Sequence, residues 1–226
     1  MEPLRLRNEQ FAALFKKIVL SRYPLDAVAE VEALYKGHDS HPDHEEIKLH
    51  GESLISAIYF YNDLPDRSLR IDLEILRTLP SDDSMYYTII NRAVMSSSRS
   101  ERNAEMLPFV LNYLENPAQE FYKILFLLHW YVQHYPGNGD REFEKYMPKL
   151  SSIAAEMGAA LDEAKPFSES VVFLVSEFHR ADKDLHALRV AYRDEAKERF
   201  AEVLDEFLAN EPLLFFRNQA TNEFKS

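Results

Sequence analysis

The 226-residue chain contains no cysteine, only five glycines and a single tryptophan. Without thiols it can build no disulfide framework, no thiolate nucleophile and no cysteine-ligated zinc site, and a reducing compartment such as the cytoplasm fits that composition. Five glycines (Gly37, Gly51, Gly137, Gly139 and Gly158) leave few positions where a positive φ is cheap. That speaks against a hairpin-rich β protein and against any glycine loop that cradles phosphate. Long apolar runs are missing as well. The longest, Ile124 to Val132, has nine residues and includes His129, whereas a bilayer-spanning helix needs about 20. No run of five basic residues occurs, and 26 basic against 38 acidic side chains give a formal net charge of -12. Phosphate backbones are repelled by that balance, so nucleic acid is excluded as an expected partner and a basic protein is favoured. The first twenty residues carry Glu2 and place Lys16 and Lys17 inside their apolar stretch, unlike the uninterrupted core of a signal peptide.

What is present is helical periodicity. Apolar residues make up 46% of the chain and recur at steps of three and four almost throughout, while alternation by two is hard to find. The spacing predicts an all-α fold of about ten helices in stacked antiparallel hairpins, near 8–22, 25–36, 44–62, 67–79, 82–97, 101–115, 117–135, 141–163, 167–181 and 183–209. Residues with N-cap chemistry precede several of these runs: Asn8, Ser81, Ser100, Asn116 before Pro117, and Asp140. Asp182 is read as the N-cap that ends one helix and starts the last, so that His179 and His186, seven apart, fall on separate helices. The segments 124–132 and 171–178 are apolar almost all round and are placed in the interior. Leu64-Pro65-Asp66, Ser96 to Ser100 and Pro136 to Asp140 serve as connections. One domain over 1–226 follows, with a His- and acid-rich loop at 37–44. The tail at 211–226 carries Leu213 to Phe216, read as closing the end of the core.

Sliding the chain by 35 residues aligns apolar positions at Ile75/Val110, Leu76/Leu111, Leu79/Leu114, Tyr86/Phe121, Ile89/Ile124, Ile90/Leu125 and Ala93/Leu128. Periods of this size belong to two-helix repeats that stack because one pair cannot bury its own apolar face. The segment 107–125, with Pro108, Leu111, Leu114, Asn116-Pro117 and Phe121, resembles one HEAT repeat, and at pattern level the resemblance extends over about 66–180. It implies an α-solenoid that presents a surface to a protein partner. The other copy departs from the pattern, with Leu73 in place of the proline and Asp82-Asp83 in place of the turn. An irregular helical bundle is the alternative architecture.

Reactive constellations are sparse. The densest polar segment, residues 38–52, holds His38, His41, His44 and His50 among five acids. Imidazole and carboxylate are the ligands left to zinc or another divalent ion when thiolates are absent. Pro42 interrupts any helix between His41 and His44, and the six-residue step from His44 to His50 turns the two rings to different faces. The segment therefore reads as a solvated loop capped by Asp43, with Glu46 pairing with His50 four residues on. His38, His41 and His44 stand as metal candidates, and no cofactor is expected. His38-Asp39 resembles the HD phosphohydrolase pattern, which requires an earlier metal-binding histidine; none precedes position 38. Neither HExxH nor GxSxG occurs, and no histidine follows a glutamate by three, which removes zincin, serine-hydrolase and di-iron bundle patterns.

Adjacent aromatics, among them Tyr86-Tyr87, Phe121-Tyr122 and Trp130-Tyr131, cannot all face one core, and tyrosine and tryptophan are favoured contact residues. Tyr87, Asn91, Tyr122, Trp130 and His134 are thus the candidate partner-binding residues. The expectation is a non-catalytic, acidic helical protein that neutralises or scaffolds a protein partner, as an immunity protein, inhibitor or adaptor does. Two alternatives stand beside it: a metal-dependent hydrolase using 38–50, and a small-ligand regulator with a pocket near His129 and Trp130.

Overall fold

A computed structural model describes residues 4–36, 44–115, 120–135, 143–162, 164–194 and 197–225. Among them the fold is all-α, with eleven α-helices and no strand. The helices are α1 (Leu4–Leu20), α2 (Ala27–Tyr35), α3 (His44–Tyr61), α4 (Pro65–Leu76), α5 (Tyr86–Arg99), α6 (Leu107–Glu115), α7 (Phe121–His134), α8 (Met147–Met157), α9 (Phe167–Asp194), α10 (Lys197–Asn210) and α11 (Leu214–Phe224). No helix among the described residues is long and apolar enough to cross a membrane. The chain forms two compact units, residues 1–118 and 119–226.

In the amino-terminal unit α2, α3, α4 and α5 pack in chain order, each on the next. Ile18, Val31, Leu54 and Ile58 form one part of the core, and Leu69, Leu73, Ile89 and Ile90 continue it between α4 and α5. Each of these side chains is almost wholly withdrawn from water, which contributes about 1.5–3 kcal/mol apiece before the entropy of ordering is subtracted. In the carboxy-terminal unit α7 lies against α8 and α9, and α11 against α8, α9 and α10. The segment 124–132 is interior as its composition predicts, with seven of its nine residues buried and Phe126 and His129 half-buried.

Several sequence expectations are corrected. The helix at 167–181 does not stop at Asp182: α9 runs unbroken to Asp194, so Asp182 caps nothing and His179 and His186 lie on one helix. Buried Leu174, Val175, Ala181, Leu185 and Leu188 make one continuous stripe along α9, and that burial outweighs the capping preference of a single aspartate. The segment 171–178 is not interior all round, since Val172 and Phe173 are exposed. Ser96 to Arg99 finish α5 rather than forming a loop. Within the tail, Leu214–Phe224 form α11, and Leu213 and Phe216 are buried in agreement with the sequence reading, while Leu214 is exposed. Asn116-Pro117 and Asp140 lie outside the described residues. The units part between Ala118 and Gln119, inside the segment that resembles a HEAT repeat, so its two helices belong to different units.

Helix ends explain why so few glycines suffice. α1, α3, α5 and α8 each finish in a Schellman turn, marked by the backbone bonds Tyr23 N to Ile18 O, Leu64 N to Tyr59 O, Arg102 N to Ser97 O and Ala159 N to Ala154 O. The left-handed position is filled by Arg22, Asp63, Glu101 and Gly158, with φ of 57°, 56°, 58° and 75°. Only one of the four is glycine.

Candidate functional site

The amino-terminal unit carries a cleft of about 390 Å³ framed by α1, α3 and α5. Phe11 and Phe15 come from α1, His50, Ser53, Leu54, Ala57 and Tyr61 from α3, and Thr88, Asn91, Arg92 and Met95 from α5. Steps of three and four within each set put it on one face of its helix. Ser53 and Ala57 contribute short side chains to the α3 wall. Phe15, Tyr61 and Met95 stand exposed at the mouth.

One wall is held under strain. Tyr23 follows Arg22 in the left-handed region, with φ of 57°, a conformation costly for a bulky side chain. Asn62 fixes it by donating from Nδ2 to the Tyr23 carbonyl at 2.6 Å and to the Ile58 carbonyl at 2.7 Å. The Tyr23 ring stacks on Tyr61 with centroids 4.3 Å apart. Burial raises the Tyr23 hydroxyl above its usual range, Tyr61 adds to the rise and Arg92 opposes it.

The floor is polar and buried. Arg92, 9% exposed, donates from Nε to Asp72 Oδ2 at 3.0 Å and from Nη2 to Asp72 Oδ1 at 2.6 Å, and Asp72 is wholly buried. The same guanidinium reaches Ser56 Oγ at 3.0 Å and Ser53 Oγ at 3.2 Å. Ser56 and Ser68 share a hydroxyl bond of 2.9 Å, and Ser96 donates to Ser68 at 3.2 Å. The network satisfies the polar groups of three helices inside an apolar interior, as burial requires. Burial pushes the Asp72 carboxyl above the ordinary range, while the Arg92 charge and hydrogen bonds from Arg92 and Ser56 pull it back. The third nitrogen, Nη1, makes no hydrogen bond to any described residue, and Arg92 lines the cleft. The four serines bond to one another, to a backbone carbonyl and to Arg92, and among the described residues no imidazole joins them as a general base.

The residues singled out by sequence are scattered. Asn91 lines the cleft, and half-buried Tyr87 stands four residues before it, its ring 6.0 Å from that of Tyr113. Tyr122, Trp130 and His134 belong to the other unit. Trp130 is 6% exposed, with His134 and Tyr135 against its ring at 5.3 and 5.8 Å. Tyr122 donates to Glu120, and that bond, ahead of burial, lifts its hydroxyl to about 12. His129 sits beside Gln133 at 3.1 Å. His38 and His41 lie outside the described residues; His44 opens α3, half-buried. Glu46 and His50 share a face as expected, 4.0 Å apart, and the His50 ring meets Phe11 at 5.8 Å. Among the described residues no group of three or more histidines and acids is placed to hold a metal ion. A shallower depression in the carboxy-terminal unit, between Val132, Lys165, Val172 and Phe173, lacks a charged floor of this kind.

Sequence reasoning missed Asp72, Arg92 and the serines. Their signal was the recurrence of polar pairs at helical spacing inside apolar faces: Ser53 and Ser56, Ser68 and Asp72, Arg92 and Ser96. Compared with protein-family models, curated proteins and solved structures, the chain matches none.

Proposed function

We propose that the chain is a non-catalytic binding protein, and that the cleft of its amino-terminal unit receives a small, largely apolar molecule. The observation that carries this reading is the Arg92 guanidinium at the base of an aromatic cleft, with Nη1 free of partners among the described residues. Binding sites for small molecules have this make-up, mostly apolar walls with a few placed polar groups in about 300–1,000 Å³. Unlike the reading drawn from composition, it sets the pocket beside Arg92 rather than near His129 and Trp130.

The test is saturable binding of the neutral fluorescent probe N-phenyl-1-naphthylamine. One site is expected in the native protein, and none once Ala57→Phe fills the cleft. Absence of saturable binding, or equal binding by the filled variant, would end the proposal.

A protein partner remains the second reading, favoured by Phe15, Val19 and Leu20, which are exposed along α1. Charge adds little to locate such a partner: each unit has 19 acidic and 13 basic side chains, so neither concentrates the acidity. The stacking of α2 to α5 in chain order is the support for a repeat-like architecture, and the resemblance to HEAT repeats rests on the sequence pattern alone. A cysteine-free binding protein suits the cytoplasm, and the proposal places it there.

A further inference from the structure

Resting on the cleft reading above, the geometry points to a ligand class: we infer that the cleft selects an uncharged, ring-bearing molecule whose carbonyl or hydroxyl oxygen accepts a hydrogen bond from Arg92 Nη1.

The charge follows from the pairing of the floor. Asp72 takes both Nε and Nη2 of Arg92, so the positive charge at the base of the cleft already has its counter-ion at 2.6 and 3.0 Å. An anion entering the cleft would be stripped of water and meet a guanidinium whose charge is neutralised. Among the described residues no lysine and no second arginine lines the space. A cation would fare worse, because Asp72 at the floor is wholly buried and bonded through both oxygens to Arg92. Desolvating either ion without a dedicated partner is costly, whereas a neutral acceptor loses little and gains a charge-assisted bond.

The need for an acceptor follows from Nη1 itself. Arg92 is nine-tenths buried and lines the cleft, its other two nitrogens are saturated, and Nη1 has no hydrogen-bond partner among the described residues. A guanidinium has donors and no acceptor, so it can reward only an oxygen or another lone-pair group. The ring requirement comes from the walls. Phe11, Phe15, Tyr23 and Tyr61 supply aromatic faces on one side, and the Tyr23 wall is fixed in position by Asn62. A flat body stacks there at little entropic cost to the protein.

Three probes with one body separate the classes: 2-acetonaphthone, with a neutral acceptor; 2-naphthoate, with an anion; and 2-ethylnaphthalene, with neither. Each is titrated against bound N-phenyl-1-naphthylamine, and the Arg92 side-chain signals are followed by nitrogen-detected NMR. The ketone is expected to displace the dye at least tenfold more effectively than either analogue, and it alone should shift the Arg92 Nη resonances. Equal displacement by ketone and hydrocarbon would overturn the inference, because Arg92 would then read nothing. Tightest binding by naphthoate would overturn it in favour of an anion site, and no displacement by any probe would exclude ring-bearing ketones. In each of those outcomes binding of the dye keeps the cleft reading intact, and loss of dye binding removes the cleft reading itself. Because Arg92→Met alone leaves Asp72 buried without its partner, the confirming variant is Asp72→Leu with Arg92→Met. Titrated directly by the intrinsic fluorescence of each naphthalene, it should bind ketone and hydrocarbon equally; a retained tenfold preference would overturn the role of Arg92.

Discussion

Arg92 and Asp72 are bound to each other at two points inside the amino-terminal unit, and Asp72 has no exposed surface at all. Such a pair contributes little against a well-packed apolar replacement, yet either half alone is a liability. Asp72→Ala is expected to destabilise by about 3–5 kcal/mol, because it leaves a buried guanidinium uncompensated. Asp72→Leu with Arg92→Met should lose far less than the sum of the two single changes. Urea unfolding of the four proteins in the cycle measures this; additive losses would show that the two side chains do not depend on one another.

Non-glycine residues at left-handed helix ends give a second expectation. Glu101 is exposed, and its φ of 58° closes α5. An L-residue in this region costs roughly 1–2 kcal/mol, partly offset by the greater chain entropy that glycine loses on folding. Glu101→Gly should therefore stabilise by about 0.5–1 kcal/mol. Gly158 is the reverse case. Its φ is 75°, and a Cβ there would lie 2.7 Å from Leu214 Cβ and 2.9 Å from Leu214 N. Gly158→Ala should destabilise by about 2–4 kcal/mol, since both strain and a backbone clash oppose it. Thermal melts of the two variants should move in opposite directions.

Those helix ends also show what could be read from the sequence. The class of the fold was legible because the apolar steps of three and four fill the helices, and α3 was placed within a residue of its observed ends. Starts and stops were less legible. Ser100 has the chemistry of an N-cap, but the structure uses it at the end of α5, where its hydroxyl donates to the Ser96 carbonyl at 2.8 Å. Ser81 stands five residues before α5, and the turn there is made by Asp83, which accepts from Met85 N at 2.8 Å. Nothing in the letters Arg22, Asp63 or Glu101 announces a left-handed conformation. The site was hidden for another reason. Arg92 and Asp72 are 20 positions apart, and charged residues on a helix default to solvent until the packing of α4 on α5 places them face to face.

Gly51 tests close approach inside α3. A Cβ at this position would stand 2.8 Å from two carbons of the Tyr35 ring, which is buried beneath it. Alanine gains about 1 kcal/mol of helix propensity over glycine, but overpacking a closed core costs about 1–3 kcal/mol. Gly51→Ala is thus expected to lower stability by about 1 kcal/mol in the native background, and to raise it by up to about 1 kcal/mol once Tyr35→Leu removes the ring. Stabilisation in both backgrounds would show that the Tyr35 ring yields freely.

The carboxy-terminal unit should lose stability as the pH falls through the histidine range. Burial holds the His129 imidazole below its ordinary 6.5, and the nearby His179 and His134 rings act in the same direction; burial also lowers His134. A histidine whose folded-state pKa is depressed binds its proton more readily in the unfolded chain. Its stabilising contribution is therefore complete above the unfolded value near 6.5 and is lost as the pH drops toward the lower folded-state value. Asp72 acts with the opposite sign, because its raised carboxyl pKa makes ionisation unfavourable to the folded form, and acid relieves that cost. The carboxylates lowered by ion pairs, Glu105 by Arg102 and Glu223 by Arg189, begin to lose their contribution only near and below 4.5. Between pH 7 and 5 the histidines are thus expected to set the slope. Urea midpoints followed by Trp130 fluorescence should fall across that interval in the native chain, and His129→Gln should flatten the fall. An unchanged slope in the variant would assign the proton uptake to another group.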